Sequence, residues 1–267
     1  MQILLFIKQF VHVDRNPSPQ GLSTRLSQPR TSASLHQSQE DPHVEVYIIR
    51  HGESINNWFK KANKPSAQFE RSVDPPLTSL GEAQARRAAE ALVGSSIERV
   101  YCSPQIRGLQ TGVIIGDRLG VPVEARPFLR ERAGGHTDYH GLPAAQIRAR
   151  FPQVELGPDF TEEGWWFRPA EPRDTDATYR RGLEVAEWLW SLTETYDSVA
   201  LISHGAFGAR MMLALLGLPA DSSVRFKQEN GGISRLVLEE GMVRCIYWND
   251  TRHMRELGSD VGAEAAV

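Results

Sequence analysis

Cysteine is scarce: two in 267 residues, Cys102 and Cys245, too few for a disulfide framework and without metal-ligand spacing. Both are expected to be small, buried, apolar residues. No apolar stretch approaches the roughly 20 residues that a membrane-spanning helix needs. Excess positive charge is missing too. The 30 Lys and Arg stand against 33 Asp and Glu, a net charge of −3, which gives no basic field to hold a nucleic-acid backbone. No Gly-rich P-loop signature, no acidic pair suited to magnesium and no internal repeat can be found. These absences exclude a disulfide-stapled scaffold, a helical membrane protein and a nucleic-acid binder. What remains, 40% hydrophobic and 24% charged, suits a soluble α/β domain with a real core.

The first forty-odd residues differ from the rest. After the apolar start Ile3–Ile7, Ser, Gln, Pro and Arg dominate, with Lys8, Arg15, Arg25 and Arg30 against Asp14 alone up to Gln39. An acid-poor, Ser- and Arg-rich segment has the composition of an organellar transit peptide, one also met in disordered tails or upstream of a misassigned start codon. The expected organisation is an N-terminal extension over 1–42, one domain over 43–255 and a tail over 256–267. The location is then cytoplasmic, or organellar if the extension is a transit peptide.

From Val44 the pattern changes. Val44–Ile49 is a β-branched, nearly continuous apolar run, as in a strand buried on both faces of a parallel sheet. It ends in Arg50–His51–Gly52. A helix is expected from Ser79 to about Leu92, with Ser79 and Glu82 as a capping box and Gly94 closing it. Arg99–Cys102 predicts a second strand. Ser103 is placed to cap the next helix, Pro104 to sit in its first turn, and Gly120 with Pro122 to end it. Val199–Ser203 predicts a third strand, then His204–Gly205 and a helix from about Phe207 to Leu216. Ile233–Leu238 and Met242–Trp248 look like two strands joined at Glu240–Gly241. Strands alternating with helices predict a three-layer α/β/α sandwich with a mostly parallel central sheet.

Three groups stand where a strand has just ended: Arg50–His51, Ser103 with Arg107, and Ser203–His204. Open α/β sheets bind ligands beyond the carboxyl ends of their strands. If the strands are neighbours, two histidines and two arginines meet at one edge. Gly52 and Gly205, lacking Cβ, let the backbone approach an anion. Arg107 falls in the first turn of its helix, whose dipole favours phosphate. Guanidinium groups can grip phosphoryl oxygens in bidentate fashion, and a neutral imidazole is a competent nucleophile. The arginines should keep His51 unprotonated. Glu131, after the apolar Pro122–Val123 segment, is the candidate acid and base, with a surface carboxylate as the alternative.

These residues resemble the histidine phosphatase superfamily, also called phosphoglycerate mutase-like. The likeness rests on Arg50–His51–Gly52–Glu53–Ser54 with Asn57, and on Asp74–Pro75–Pro76–Leu77–Thr78 with Gly81 and Gln84. Further blocks are Tyr101–Cys102–Ser103–Pro104 with Arg107, Gln110 and Thr111; Leu129–Arg130–Glu131–Arg132; Ser203–His204–Gly205 with Arg210; and Asn230–Gly231–Gly232–Ile233. The resemblance spans about Val44 to Leu238. It implies a phosphomonoester hydrolase in which His51 is phosphorylated, Arg50, Arg107, Gly205 and His204 complete the phosphate pocket, Asn57 adds a side-chain donor, and Glu131 moves the proton. It implies no metal and no organic cofactor, and a small phosphorylated substrate as the partner. Mutases of the family carry Tyr–Gly soon after the Glu–Arg pair. Here Ala133–Gly134–Gly135–His136 follows, which favours hydrolysis over mutase-type transfer. A phosphate-binding module without turnover is the remaining alternative.

Other features are weaker. Trp165 and Trp166, with Phe167, form either a substrate lid or plain core. His136 and His140 flank Asp138 in a Gly-flanked stretch that suits a surface loop better than a metal site. Trp188–Leu189–Trp190 with Tyr179 and Leu183 predicts a buried helix face, and Arg252 and His253 solvated positions.

Overall fold

A computed structural model describes residues 42–62, 72–132, 139–166, 175–255 and 257. Strand β1 (His43–Arg50) is followed by α1 (Ile55–Lys61), α2 (Ser79–Ala91), β2 (Arg99–Cys102), α3 (Ile106–Leu119) and β3 (Val123–Ala125). Then come α4 (Ala144–Arg150), β4 (Val154–Leu156), α5 (Thr175–Ser191), β5 (Ser198–Ser203) and α6 (Gly205–Leu215), and the closing strands β6 (Ile233–Glu239) and β7 (Met242–Asp250). The seven strands form one sheet in the order β4-β3-β2-β5-β1-β6-β7. The first five in that order pair in parallel, and β6 and β7 add an antiparallel edge.

The apolar run at the start of the domain has a simple cause. Val44, Val46 and Ile48 enter one core, against Val185, Leu189, Phe207 and Met211 of α5 and α6. Tyr47 and Ile49 enter the other, with Ala88 and Ala89 of α2 and Leu109 and Ile115 of α3. A central strand covered on both sides has no polar face to alternate with. The three-layer α/β/α sandwich is thus present. Glu240 and Gly241, both at positive φ (49° and 76°), make the tight turn that joins β6 to β7. Among the described residues no helix is long and apolar enough to cross a membrane.

Several local expectations shift. Helix α2 is capped by Thr78, whose hydroxyl accepts from Gly81 N, instead of by Ser79, and the expected Ser79–Glu82 box is absent. The chain does carry such a box at α1, between Ser54 and Asn57. Gln105, not Ser103, precedes α3, and α6 begins at Gly205, two residues early. Cys102 is buried, but Cys245 is exposed because β7 is an edge strand. On α5 the buried stripe is Arg181, Val185, Ala186 and Leu189, while Trp188 and Trp190 pack at its margin. His253 is half-buried, its Nε2 3.0 Å from Gly231 O.

One close backbone crossing fixes the approach to the site. A Cβ on Gly52 would lie 2.1 Å from Gly81 O, and one on Gly81 would lie 2.0 Å from Glu53 O. In an isolated helix Gly81→Ala would stabilise by roughly 1 kcal/mol. Here the clash is expected to reverse the sign and destabilise by about 1–3 kcal/mol in urea unfolding. A gain in stability would contradict this packing.

Candidate active site

The register levels the strand ends. Arg50 of β1 pairs with Ser203 of β5, and Cys102 of β2 with Ile202 of β5. His51, Ser103 and His204 therefore leave the sheet at one height, β5 lying between the other two. His51 N donates to Ser203 O at 3.0 Å, and Ser103 N to Ile202 O at 2.9 Å. The two imidazole rings are neighbours, with centroids 4.9 Å apart and planes tilted by 59°. His51 is 3% and His204 0% exposed.

Each ring is held by a defined bond. His51 Nδ1 lies 2.6 Å from Gly52 O, so the proton resides on Nδ1 and Nε2 carries the lone pair. Arg107 Nε donates to that Nε2 at 3.2 Å. His204 Nε2 lies 2.7 Å from Ser103 Oγ, while its buried Nδ1 has no hydrogen-bond partner among the described residues. Ser103 Oγ already accepts from Gln105 N at 3.3 Å. Its own hydrogen is best used toward His204 Nε2, which leaves the His204 proton on Nδ1.

The guanidinium groups come from two directions. Arg50 donates from Nη1 to Gln228 O at 2.7 Å, and its buried Nε has no partner among the described residues. That Nε would lie 3.3 Å from a Cβ at Gly205, so Arg50 runs along a backbone kept clear by glycine. Arg107 is anchored by Asp74, its Nη1 3.5 Å from Oδ1. The same Oδ1 accepts from Ile106 N at 3.0 Å, and Tyr139 donates to Oδ2. The first N–H of α3 is thus taken by a carboxylate within the chain, where an open anion site was expected. Burial, then the charges of Arg107 and Arg50, hold the His51 imidazolium well below its ordinary 6.5. Burial, then Arg107 and His51, do the same to His204.

Glu131 is no loose surface carboxylate. Its Oε1 accepts from Phe207 N at 2.8 Å and its Oε2 from Ala206 N at 3.2 Å, which seats it on the N-terminus of α6. Gln105 Oε1 holds its backbone N–H at 2.9 Å. Arg181 Nη1 grips Arg130 O at 2.6 Å and Phe128 O at 2.8 Å, fixing the segment that carries it. Asn57 receives on Oδ1 from Ser54 N and Oγ and from Asn230 Nδ2, the last at 3.1 Å. Asn230 Nδ2 also reaches His51 O at 3.0 Å. The Asn57 oxygen therefore braces the loop, and only its amino group can serve as the expected donor.

Trp165 is 3% exposed in the core and packs against the half-buried Trp166, which lies under Arg130. Phe167, His136 and Asp138 lie outside the described residues, while His140 is exposed, as a surface loop requires. The supports that sequence reasoning missed are Ser103 toward His204, Asp74 with Tyr139, Gln105, Arg181 and Asn230. Asp74 and Asn230 stood in recognisable blocks, but nothing local showed which side chain each would hold.

A profile of the histidine phosphatase superfamily (branch 1) matches residues 46–251. The probable phosphoglycerate mutase GpmB of Yersinia enterocolitica is 28% identical over 79% of this chain and 95% of its own. Glucosyl-3-phosphoglycerate phosphatase of Mycolicibacterium vanbaalenii is 29% identical over 66% of this chain and 76% of its own. The solved structure of a mycobacterial glucosyl-3-phosphoglycerate phosphatase with VO3 superposes with a TM-score of 0.52 at 25% identity, covering 78% of this chain and 100% of that one.

The two depressed histidines make a stability prediction. Unfolding returns each ring to its ordinary value near 6.5, so below that pH the unfolded chain binds protons that the folded site refuses. Stability is complete above about pH 6.5 and falls as the pH drops below it, by up to about 1.4 kcal/mol per pH unit per ring. Urea unfolding at pH 7.5 and 5.0 is expected to show this loss, and His51→Asn with His204→Asn to flatten it. Equal slopes in both proteins would contradict the assignment.

Proposed function

The chain belongs to the histidine phosphatase superfamily, branch 1, and from that premise we propose that it hydrolyses phosphomonoesters with His51 as the phosphoryl acceptor. One observation carries this reading. Two adjacent, neutral imidazoles share a buried site with the Arg50 and Arg107 guanidinium groups, and Arg50 Nε and His204 Nδ1 are buried without a partner among the described residues. Buried donors are rarely left unsatisfied. A phosphoryl group bound at the nitrogen edges of the two rings would accept from both.

In this account the substrate oxygens draw Arg107 Nε away from His51 Nε2 and free its lone pair. The Nε2–P bond forms as the P–O bond to the leaving group breaks, while Arg50, Arg107, His204 Nδ1–H, the Gly205 backbone and the Asn57 amino group face the equatorial oxygens. Glu131, in its acid form, gives its proton to the departing oxygen. A water then attacks phosphorus and passes a proton to Glu131. Inorganic phosphate leaves, and the His51 lone pair returns. Ser103 acts through His204 by holding the proton on Nδ1.

The mutase reading is less well supported. Such an enzyme must shield its phosphoenzyme from water, and this chain departs from the mutase pattern just after Glu131–Arg132. The phosphatase and mutase relatives are both named for a phosphoglycerate, which supports a small phosphorylated metabolite as substrate.

Incubation with para-nitrophenyl phosphate and with 3-phosphoglycerate is expected to release inorganic phosphate from one or both. Conversion of 3- to 2-phosphoglycerate without phosphate release would favour the mutase. His51→Ala should abolish turnover, and Arg107→Ala should lower it by about 10²–10³. Ser103→Ala should reduce kcat about ten-fold through lost orientation of His204. Imidazole nitrogen-15 shifts should show His204 protonated at Nδ1 in the wild type. An Nε2–H tautomer there would remove the role assigned to Ser103.

A further inference from the structure

Beside the seat of Glu131 lies an open cavity of about 160 Å³. Its walls include Arg132, Ala206, Arg210 and Leu213, with Arg225 and Phe226 from the segment after α6. No acidic side chain lines it, and among the described residues none of the three arginines lies within ion-pair distance of a carboxylate. Arg210 spends one N–H on Ala220 O at 2.8 Å, and Arg225 Nη1 donates to Ser222 O and Val224 O. These bonds orient the two guanidinium groups and leave most of their five donors for another partner.

The cavity adjoins Glu131. Ala206, one of its walls, donates its backbone N–H to Glu131 Oε2, and Arg132 is the next residue after Glu131. A leaving group that takes its proton from Glu131 emerges beside these residues. We infer that the cavity is a specificity subsite, and that the preferred substrate is a phosphomonoester whose leaving group carries a second anion, a carboxylate or another phosphate. This rests on the hydrolase reading above. Three cations with no internal counter-charge repel one another, and a bound anion relieves that repulsion. Leu213 and Phe226 supply an apolar floor that would strengthen the attraction by excluding water.

Two matched pairs test this. 3-Phosphoglycerate against glycerol 3-phosphate varies only a carboxylate. Fructose 1,6-bisphosphate against fructose 6-phosphate varies only a second phosphate. In at least one pair kcat/KM is expected to favour the anionic member by about ten-fold or more, and which pair does so identifies the anion. That ratio should shrink with added salt. Arg225→Glu, on an exposed segment, should bring it to about one or below, and Arg132→Glu should act in the same direction. Thermal melts will show that both variants remain folded. Ratios near one in the wild type, with para-nitrophenyl phosphate still hydrolysed, would overturn the subsite and spare the hydrolase reading. So would a preference that survives both charge reversals. No hydrolysis of any of the five esters would overturn both.

Discussion

The parallel pairing of β1 with β5 is the constraint on which the rest of this structure depends. Because Arg50 and Ser203 are level in the register, the next residue on each strand is a histidine, and the two rings have no choice but to meet. A slip of one residue would turn one ring to the other side of the sheet, since side chains alternate with a period of two. The apolar run of β1 and the fully buried β5 specify that register through two separate cores. Packing far from the site thereby sets a distance inside it.

What the sheet brings together, the surrounding loops hold in tension. Two guanidinium groups and two imidazoles share a site from which water is largely excluded, so the neutral state of the rings follows from burial first and from the arginines second. Asp74 offsets one of those charges and is itself held by Tyr139 and the first N–H of α3, burial raising its carboxyl above the ordinary range. Glu131 sits across the site on the N-terminus of α6, the helix whose first residue is Gly205. The same short turn thus presents the second histidine, a glycine that makes room for Arg50, and the seat of the proposed proton donor.

Much of this could be read before any coordinates. The β-branched runs, each broken by a chemically specific residue, announce parallel strands that end at a site, and the periodic helices between them announce the layers. The catalytic candidates could be read because they sit at strand ends, where local pattern and global position coincide. Their supports could not. Ser103 fits a helix cap by local rule, but the cap falls at Gln105, since Asp74 takes the N–H of Ile106 and the Ser103 hydroxyl goes to His204. Thr78 displaces Ser79 as a cap by a single residue, a margin that propensity does not resolve. Cys245 and the Trp188 margin depended on which strand is an edge and how α5 is rotated, both settled by tertiary packing. The cavity of Arg132, Arg210 and Arg225 joins residues up to 93 apart in sequence, and no local pattern connects them.

The central claim is that phosphorus passes through the Nε2 of His51. Rapid quenching of a reaction with a good leaving group, followed by digestion and mass spectrometry at alkaline pH, tests it most directly. The account predicts a transient, acid-labile, base-stable phosphoryl group on His51 alone, absent from His51→Ala. A phosphoryl group found on His204 or on a side chain outside this site, or steady turnover with none at all on His51, would contradict it.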